Sequence, residues 1–489
     1  MNKLILLFFV TLMVAIAAAQ PLSLHTQNPH YLQYKGKSVV LVTSAEHYGA
    51  VLNRDFDFEK YLQTLHAEGM NYTRIFTGSY VEIPGSFGIE NNTLAPATGS
   101  FLAPWKRVEV HGIYKGETKF DLSEWNPEFF ERLTSFVTLA RELDILVEVT
   151  FFCSTYQDNY WERNPFNPGN NVNQLPEKLD RRKSNTLDNG TLTGFQKRLV
   201  EKLVTELNGF DNVFYEIQNE PWADDPQKAM RTLRTLDPQE QGGWFKWAEM
   251  ASDASMEWQK EMAKVVVETE ARLPKKHLIA QNYTNFKHSL AWVDPNISIL
   301  NFHYVWPEAV WLNYGWDRPV SFDESGFAGS SDTTYLRQAW QFMLAGGAIF
   351  NNLDYSFFVD KEDGTGTNHA PGGGSTTLRK QLKILRGFLE SVDFVKMRPD
   401  FTVVTHAPGM EWQAISEPGE QYAIVFTGAA GGAIKLNVPR GRFHFEMISP
   451  FTGQKLKSGF FTNETKGVAE LVLPQFQEMV ALKMVRKKR

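Results

Sequence analysis

One cysteine, Cys153, stands among 489 residues. An internal disulfide and an all-cysteine metal site are thereby excluded. No His-x-His and no His-Glu-x-x-His occurs, so zinc hydrolysis lacks its ligands. No Gly-x-Ser-x-Gly elbow is present, which removes the serine-hydrolase pattern. A nucleotide-binding glycine fingerprint is missing after the first strand-like run. Basic charge is not in excess: 50 Lys and Arg face 56 Asp and Glu, a net charge of -6. A nucleic-acid partner is therefore not expected, since duplex binders gather a positive surplus. Beyond the first twenty residues no apolar run is long enough to span a bilayer. The 43% hydrophobic and 22% charged content suits a soluble globular protein and excludes a disordered chain or a coiled coil.

Aromatic residues are plentiful, at 13%. Large rings fill cores, and they also form platforms for flat apolar faces. At the N-terminus, Lys3 precedes the apolar run Leu4 to Val14, and Ala17-Ala18-Ala19 gives a small-x-small cleavage pattern. Residues 1–19 thus read as a secretory signal peptide, and the mature chain is expected outside the cytoplasm, secreted or periplasmic, with no membrane partner. A membrane anchor is the other reading, but the run is shorter than a span needs.

After Tyr31 to Val42, read as two short strands, a strand-then-helix rhythm begins. Strands are predicted at Val39 to Thr43, Asn71 to Phe76, Ile145 to Phe152, Val213 to Gln218, His277 to Gln281, Ile297 to His303, Val320 to Asp323 and Ala348 to Leu353. Helical spacing occupies Phe56 to Glu68, Pro127 to Leu143, Leu192 to Leu207, roughly Trp244 to Leu273, Thr334 to Ala345 and Leu378 to Leu389. Continuous apolar strands alternating with helices predict an α/β parallel sheet, and eight units fit a (β/α)8 TIM barrel with insertions. A doubly wound sheet is the rival.

Near Pro399 the pattern changes. Short strand-like runs separated by Gly and Pro turns predict a small antiparallel β-sandwich, closed by the basic tail Arg486 to Arg489. The expected division is signal 1–19, barrel 20–396 and β-sandwich 397–489.

Two carboxylates fall where a barrel places its active site, at C-terminal strand ends. Glu220 follows the fourth strand in Gln218-Asn219-Glu220-Pro221-Trp222, and Glu324 ends the seventh in Asp323-Glu324-Ser325. Such a pair can share glycoside hydrolysis between an acid and a nucleophile. Asn-Glu-Pro alone suits any loop, and Arg74 could equally be an ion pair with Glu216. Strict alternation puts Asn219 and Glu220 on opposite faces, so both reach one site only if the strand ends or bulges there.

The Asn219-Glu220-Pro221 motif with Glu324 after strand seven resembles the clan A glycoside hydrolases, cellulase-like family-five enzymes among them, over roughly residues 30 to 395. The resemblance implies a retaining β-glycosidase with Glu220 as acid/base and Glu324 as nucleophile. It implies Asn219 on the sugar 2-hydroxyl and Arg74 pairing with the nucleophile. His303 and Tyr304 match a strand-six His and Tyr, with the Tyr one position earlier than in the clan. Tyr355 stands nearest to the clan's strand-eight Trp. The C-terminal part resembles small β-domains that trail such barrels, one of them named for collagen binding, a label that does not imply binding.

Among loop aromatics, Trp222 and Trp306 are the candidates for stacking on the apolar face of a sugar; others, such as Trp105, Tyr156, Trp161, Trp311 and Trp316, could simply pack loops. The expected partner is a carbohydrate, with no metal and no organic cofactor, and no motif assigns an oligomeric state. The alternatives are a non-catalytic carbohydrate-binding barrel and a transglycosylase with the same carboxylates. A closed pocket would mean exo-action, an open groove endo-action.

Overall fold

The computed structural model describes residues 20–231, 247–428, 430–465 and 467–487. The signal segment and the last two residues of the basic tail lie outside them. Eight parallel strands run side by side: β1 Leu41–Ala45, β2 Tyr72–Phe76, β3 Leu146–Cys153, β4 Val213–Asn219, β5 Ile279–Asn285, β6 Ile299–His303, β7 Val320–Ser325 and β8 Ile349–Leu353. Every residue in them is buried; each strand begins apolar, and the polar residues it carries, such as Arg74, Glu148, Glu216 and Asn301, are buried inside the barrel as well. The ladder passes from β1 through β8, β7, β6, β5, β4 and β3 to β2.

The ring closes between β1 and β2 through a side chain. Asn71 Oδ1 accepts from Val42 N at 3.0 Å, and its Nδ2 donates to Val40 O at 2.9 Å. Phe76 N then donates to Tyr48 O at 3.1 Å. The result is a (β/α)8 barrel.

Outer helices are α1 Phe58–Glu68, α2 Pro127–Glu142, α3 Leu192–Leu207, α4 Asp253–Glu270, α5 Glu308–Asn313, α6 Asp332–Leu344 and α7 Thr376–Glu390. Their limits follow local chemistry. Asp57 caps α1 through Lys60 N, and Gly69 ends it in the left-handed conformation. Asn126 caps α2, whose first residue is proline. No helix separates β5 from β6.

One predicted helix is shorter than its pattern. Trp247–Met250 is a strand, antiparallel to Gln227–Arg231 and touching β5 through Met250 and Thr284. Ser252 then caps α4 by accepting from Ser255 N. The earlier part of that prediction, Trp244 to Lys246, lies outside the described residues. The long loop after β2 also contains an unpredicted hairpin, Trp105–His111 with Thr118–Trp125.

The C-terminal part is a sandwich of a six-stranded and a three-stranded antiparallel sheet. Three strands escaped prediction, Arg398–Pro399, Lys455–Asn463 and Met479–Arg486. Within the larger sheet, Gln421–Thr427 is buried along its whole length. Tyr422, Ile424 and Phe426 face the sandwich core, while Ala423 and Val425 join the barrel core. Trp311 of α5 packs on Phe401 at 4.9 Å, and Arg337 of α6 pairs with Glu478.

Candidate active site

Strand ends carry the site, and three of them end in the same way. Glu220 after β4, Phe286 after β5 and Tyr304 after β6 have φ of 45°, 56° and 55°. A side chain in the left-handed region costs roughly 1–3 kcal/mol and persists only where the surroundings impose it. The turn breaks strand alternation, so Asn219 and Glu220 both enter the mouth. It does the same for His303 and Tyr304. The one-position shift of the tyrosine is thus absorbed by backbone conformation.

Glu324 is held by several donors. Tyr304 Oη donates to Oε1 at 2.6 Å, and Tyr48 Oη and Arg74 Nη1 donate to Oε2 at 3.2 and 3.3 Å. Glu220 accepts from Tyr156 Oη at 2.8 Å and bonds His303 Nδ1 at 2.9 Å. The same Nδ1 lies 3.6 Å from Glu324 Oε2. One oxygen of Glu220 and one of Glu324 lie within 4.8 Å of each other. Asn219 is fixed by Arg74 Nη2, which donates to its Oδ1 at 2.8 Å, while its Nδ2 donates to Tyr156 Oη at 2.9 Å.

Below the mouth the barrel interior is ionic. Arg74 is fully buried, pairs with Glu216 and bonds Thr150 Oγ1 at 3.1 Å. Both uses of Arg74, interior ion pair and contact to Glu324, therefore coexist. Asn301 Nδ2 contacts Glu148, Glu216 and Asp323 at 2.8, 2.9 and 3.2 Å. These three carboxylates approach one another at metal-like spacing, but Arg74 and Asn301 already supply positive ends to them. Burial, with repulsion from Glu216 and Asp323, pushes the Glu148 carboxyl far up, and burial raises Glu216 as well.

Burial pushes the Glu324 carboxyl up, while the His303 and Arg74 charges pull against it. Burial acts upward on Glu220 too, but the His303 hydrogen bond and charge outweigh it and hold Glu220 below its usual value. His303 resists its own burial because Glu324 and Asp323 favour its charged form, and its pKa is raised.

Of the aromatic candidates, Trp222 is at the site, edge-on to His303 with centroids 5.4 Å apart. Trp306 instead stacks on Phe286 at 5.3 Å and lines neither hollow beside the carboxylates. Tyr355 sits behind His47, centroids 5.6 Å apart, and borders a glycine-rich hollow with Gly372 to Gly374. Trp105 packs on Phe166 within the loops. The carboxylates are also lined by Tyr156, named above among the loop aromatics, and by His47, Tyr48, Glu82, Phe87 and Phe327, none of which was a site candidate. His47 and Tyr48 come two and three residues after the end of β1, so their position alone could have marked them.

No family model matches the chain, and no curated protein matches it in sequence. Solved structures do. One from Bacteroides vulgatus, assigned as a glycoside hydrolase, aligns with TM-score 0.65 at 14% identity, over 96% of this chain and 83% of its own. Another, a glycoside hydrolase, gives 0.60 at 11%, over 96% and 98%. A family 5 glycoside hydrolase from Bacteroides vulgatus gives 0.59 at 11%, over 95% and 93%. Identity this low speaks for architecture, and the chain has the fold of these three structures, a (β/α)8 barrel followed by an antiparallel β-sandwich.

Proposed function

We propose that the chain is an exported glycoside hydrolase that cleaves β-linked sugars with retention of configuration. The carrying observation is the approach of Glu220 and Glu324 to within 4.8 Å. Retaining pairs stand about 5–5.5 Å apart, whereas inverting pairs need about 6.5–9.5 Å to seat a water. The fold shared with glycoside hydrolases supports the reading, and the N-terminal segment supports export.

Glu324 is the nucleophile, because two tyrosine hydroxyls and Arg74 aim it and stabilise its charge. Its oxygen bonds the anomeric carbon as the glycosidic C–O bond breaks. Glu220 gives its proton to the departing oxygen. In the second step Glu220 takes a proton from water, the water oxygen bonds the anomeric carbon, and the ester to Glu324 breaks. His303 Nδ1 is in reach of both carboxylates, and its charge opposes the upward push of burial on each. Asn219, which lines the same hollow as Glu324, is read as the residue that holds a sugar hydroxyl.

The test is a screen of defined β-glucans, mannans, galactans and aryl β-glycosides with the wild type and the Glu324→Ala and Glu220→Gln variants. Each variant is expected to lose at least about 100-fold in kcat, the usual scale for a missing acid/base. A variant that hydrolyses a responsive glycan at the wild-type rate overturns the assignment.

A further inference from the structure

Two hollows meet at Glu220. The inner one touches both carboxylates and is bounded by His47, Glu82 and Leu94; its volume is about 30 Å³. The outer one touches Glu220 but not Glu324, includes Trp222 and Glu249, and holds about 200 Å³. Phe87, Tyr156, Tyr304 and Phe327 line both and form a collar between them. An acid that protonates the leaving oxygen stands on the leaving-group side, and a nucleophile stands beneath the sugar that is attacked. The inner hollow, with both groups, is therefore the place of the attacked sugar. The outer hollow is the place of the rest of the chain.

The far wall of the inner hollow is built rather than open. Glu82 N donates to Leu94 O at 2.8 Å, and Asn92 Nδ2 donates to Glu82 Oε2 at 2.5 Å. Between those residues, the loop after β2 is latched to the loop after β8. Glu90 N donates to His369 O at 2.9 Å, Asn91 N to Asn368 Oδ1 at 3.0 Å, and Asn368 Nδ2 to Asn91 O at 2.8 Å. Arg163, buried, ties the same loop to the one after β3 by donating to Glu82 O at 3.0 Å and Pro96 O at 2.8 Å. A groove that cuts inside a polymer must be open at both ends; among the described residues these hydrogen-bonded loops wall the inner hollow at Glu82 and Leu94, while the larger hollow adjoins it past Glu220.

We infer that the site is a blind pocket that takes the non-reducing terminal residue of a β-linked chain and releases it as a single sugar. The inference rests on the glycosidase reading above. At about 30 Å³ the inner hollow holds water but not a sugar ring, so part of the collar moves when the ring enters. Phe87 is the part built to do so. It has φ 54°, between Gly85 and Gly88 at 84° and 73°, and a side chain added at either glycine would point into open space.

Reducing-end-labelled β-linked gluco-, manno-, xylo- and galacto-hexaoses test the pocket, with first products resolved by chromatography. The expected first products are the labelled pentaose and free monosaccharide, followed by the labelled tetraose. Labelled disaccharide or trisaccharide among the first products overturns the blind pocket while the hydrolase reading stands. Failure to cleave any hexaose or any aryl β-monoglycoside overturns both.

Discussion

A single nitrogen, His303 Nδ1, serves Glu220 at 2.9 Å and stands 3.6 Å from Glu324. The two carboxylates therefore titrate as a pair biased by one imidazole. His303 lowers both of them. Replacing it by Asn removes that pull, so both macroscopic pKa values rise. The nucleophile must be ionised and the acid protonated, so both limbs of the pH profile of kcat/KM should move to higher pH. A profile that stays in place would show that His303 does not set the proton balance.

Azide separates the roles of the two carboxylates. In Glu324→Gly, azide can attack from the vacated face and should give an α-configured glycosyl azide. In Glu220→Gly it intercepts the ester and should give the β-anomer. The anomer of each product, read by NMR, checks the assignment, and exchanged outcomes would exchange the roles.

Tyr304 and Tyr48 both donate to Glu324. A hydrogen bond to a charged group contributes about 1.5–3 kcal/mol. Tyr304→Phe should therefore lower kcat about 10–100-fold, with Tyr48→Phe the milder of the two because its bond is longer. Steady-state kinetics on any cleaved aryl glycoside checks the order.

Arg74→Met leaves Glu216 buried beside Glu148 and Asp323 without its cation. Breaking a buried pair in this way costs about 3–5 kcal/mol. Glu216 escapes by protonation, since its pKa is already raised by burial. The deficit against wild type should shrink as pH falls, as urea melts at several pH values would show.

Away from the carboxylate pair, burial lifts Glu46 and Asp224 to about 7, although Thr93 and backbone donors oppose it at Glu46. Folded values above the unfolded ones mean that the folded state binds more protons. Their contribution is full below about pH 4 and is lost as pH rises through 7. The melting temperature should therefore fall between pH 5 and 8, and Glu46→Gln should flatten that slope.

The barrel was legible because short strands that begin apolar alternate with helical stretches. Glu220 and Glu324 were legible because a barrel directs its strand ends to one mouth. The left-handed turns at Glu220 and Tyr304 were not, since no glycine marks them and the surrounding fold imposes them. Glu82 and Tyr156 come from long loops without periodicity, where neither 3.6 nor 2 residues repeats. Lys455–Asn463 was missed because it is mostly exposed, so its sequence carries little apolar signal. Trp306 sits on a loop as the pattern suggested, yet Phe286 takes its face.

The strand Gln421–Thr427 turns one set of side chains to the sandwich and the other to the barrel. A chain cut before Arg398 would therefore leave a bare greasy seat on the barrel, and the released sandwich would show the matching one. The C-terminal part behaves as a buttress and not as a pendant arm, so the two halves should melt in one transition.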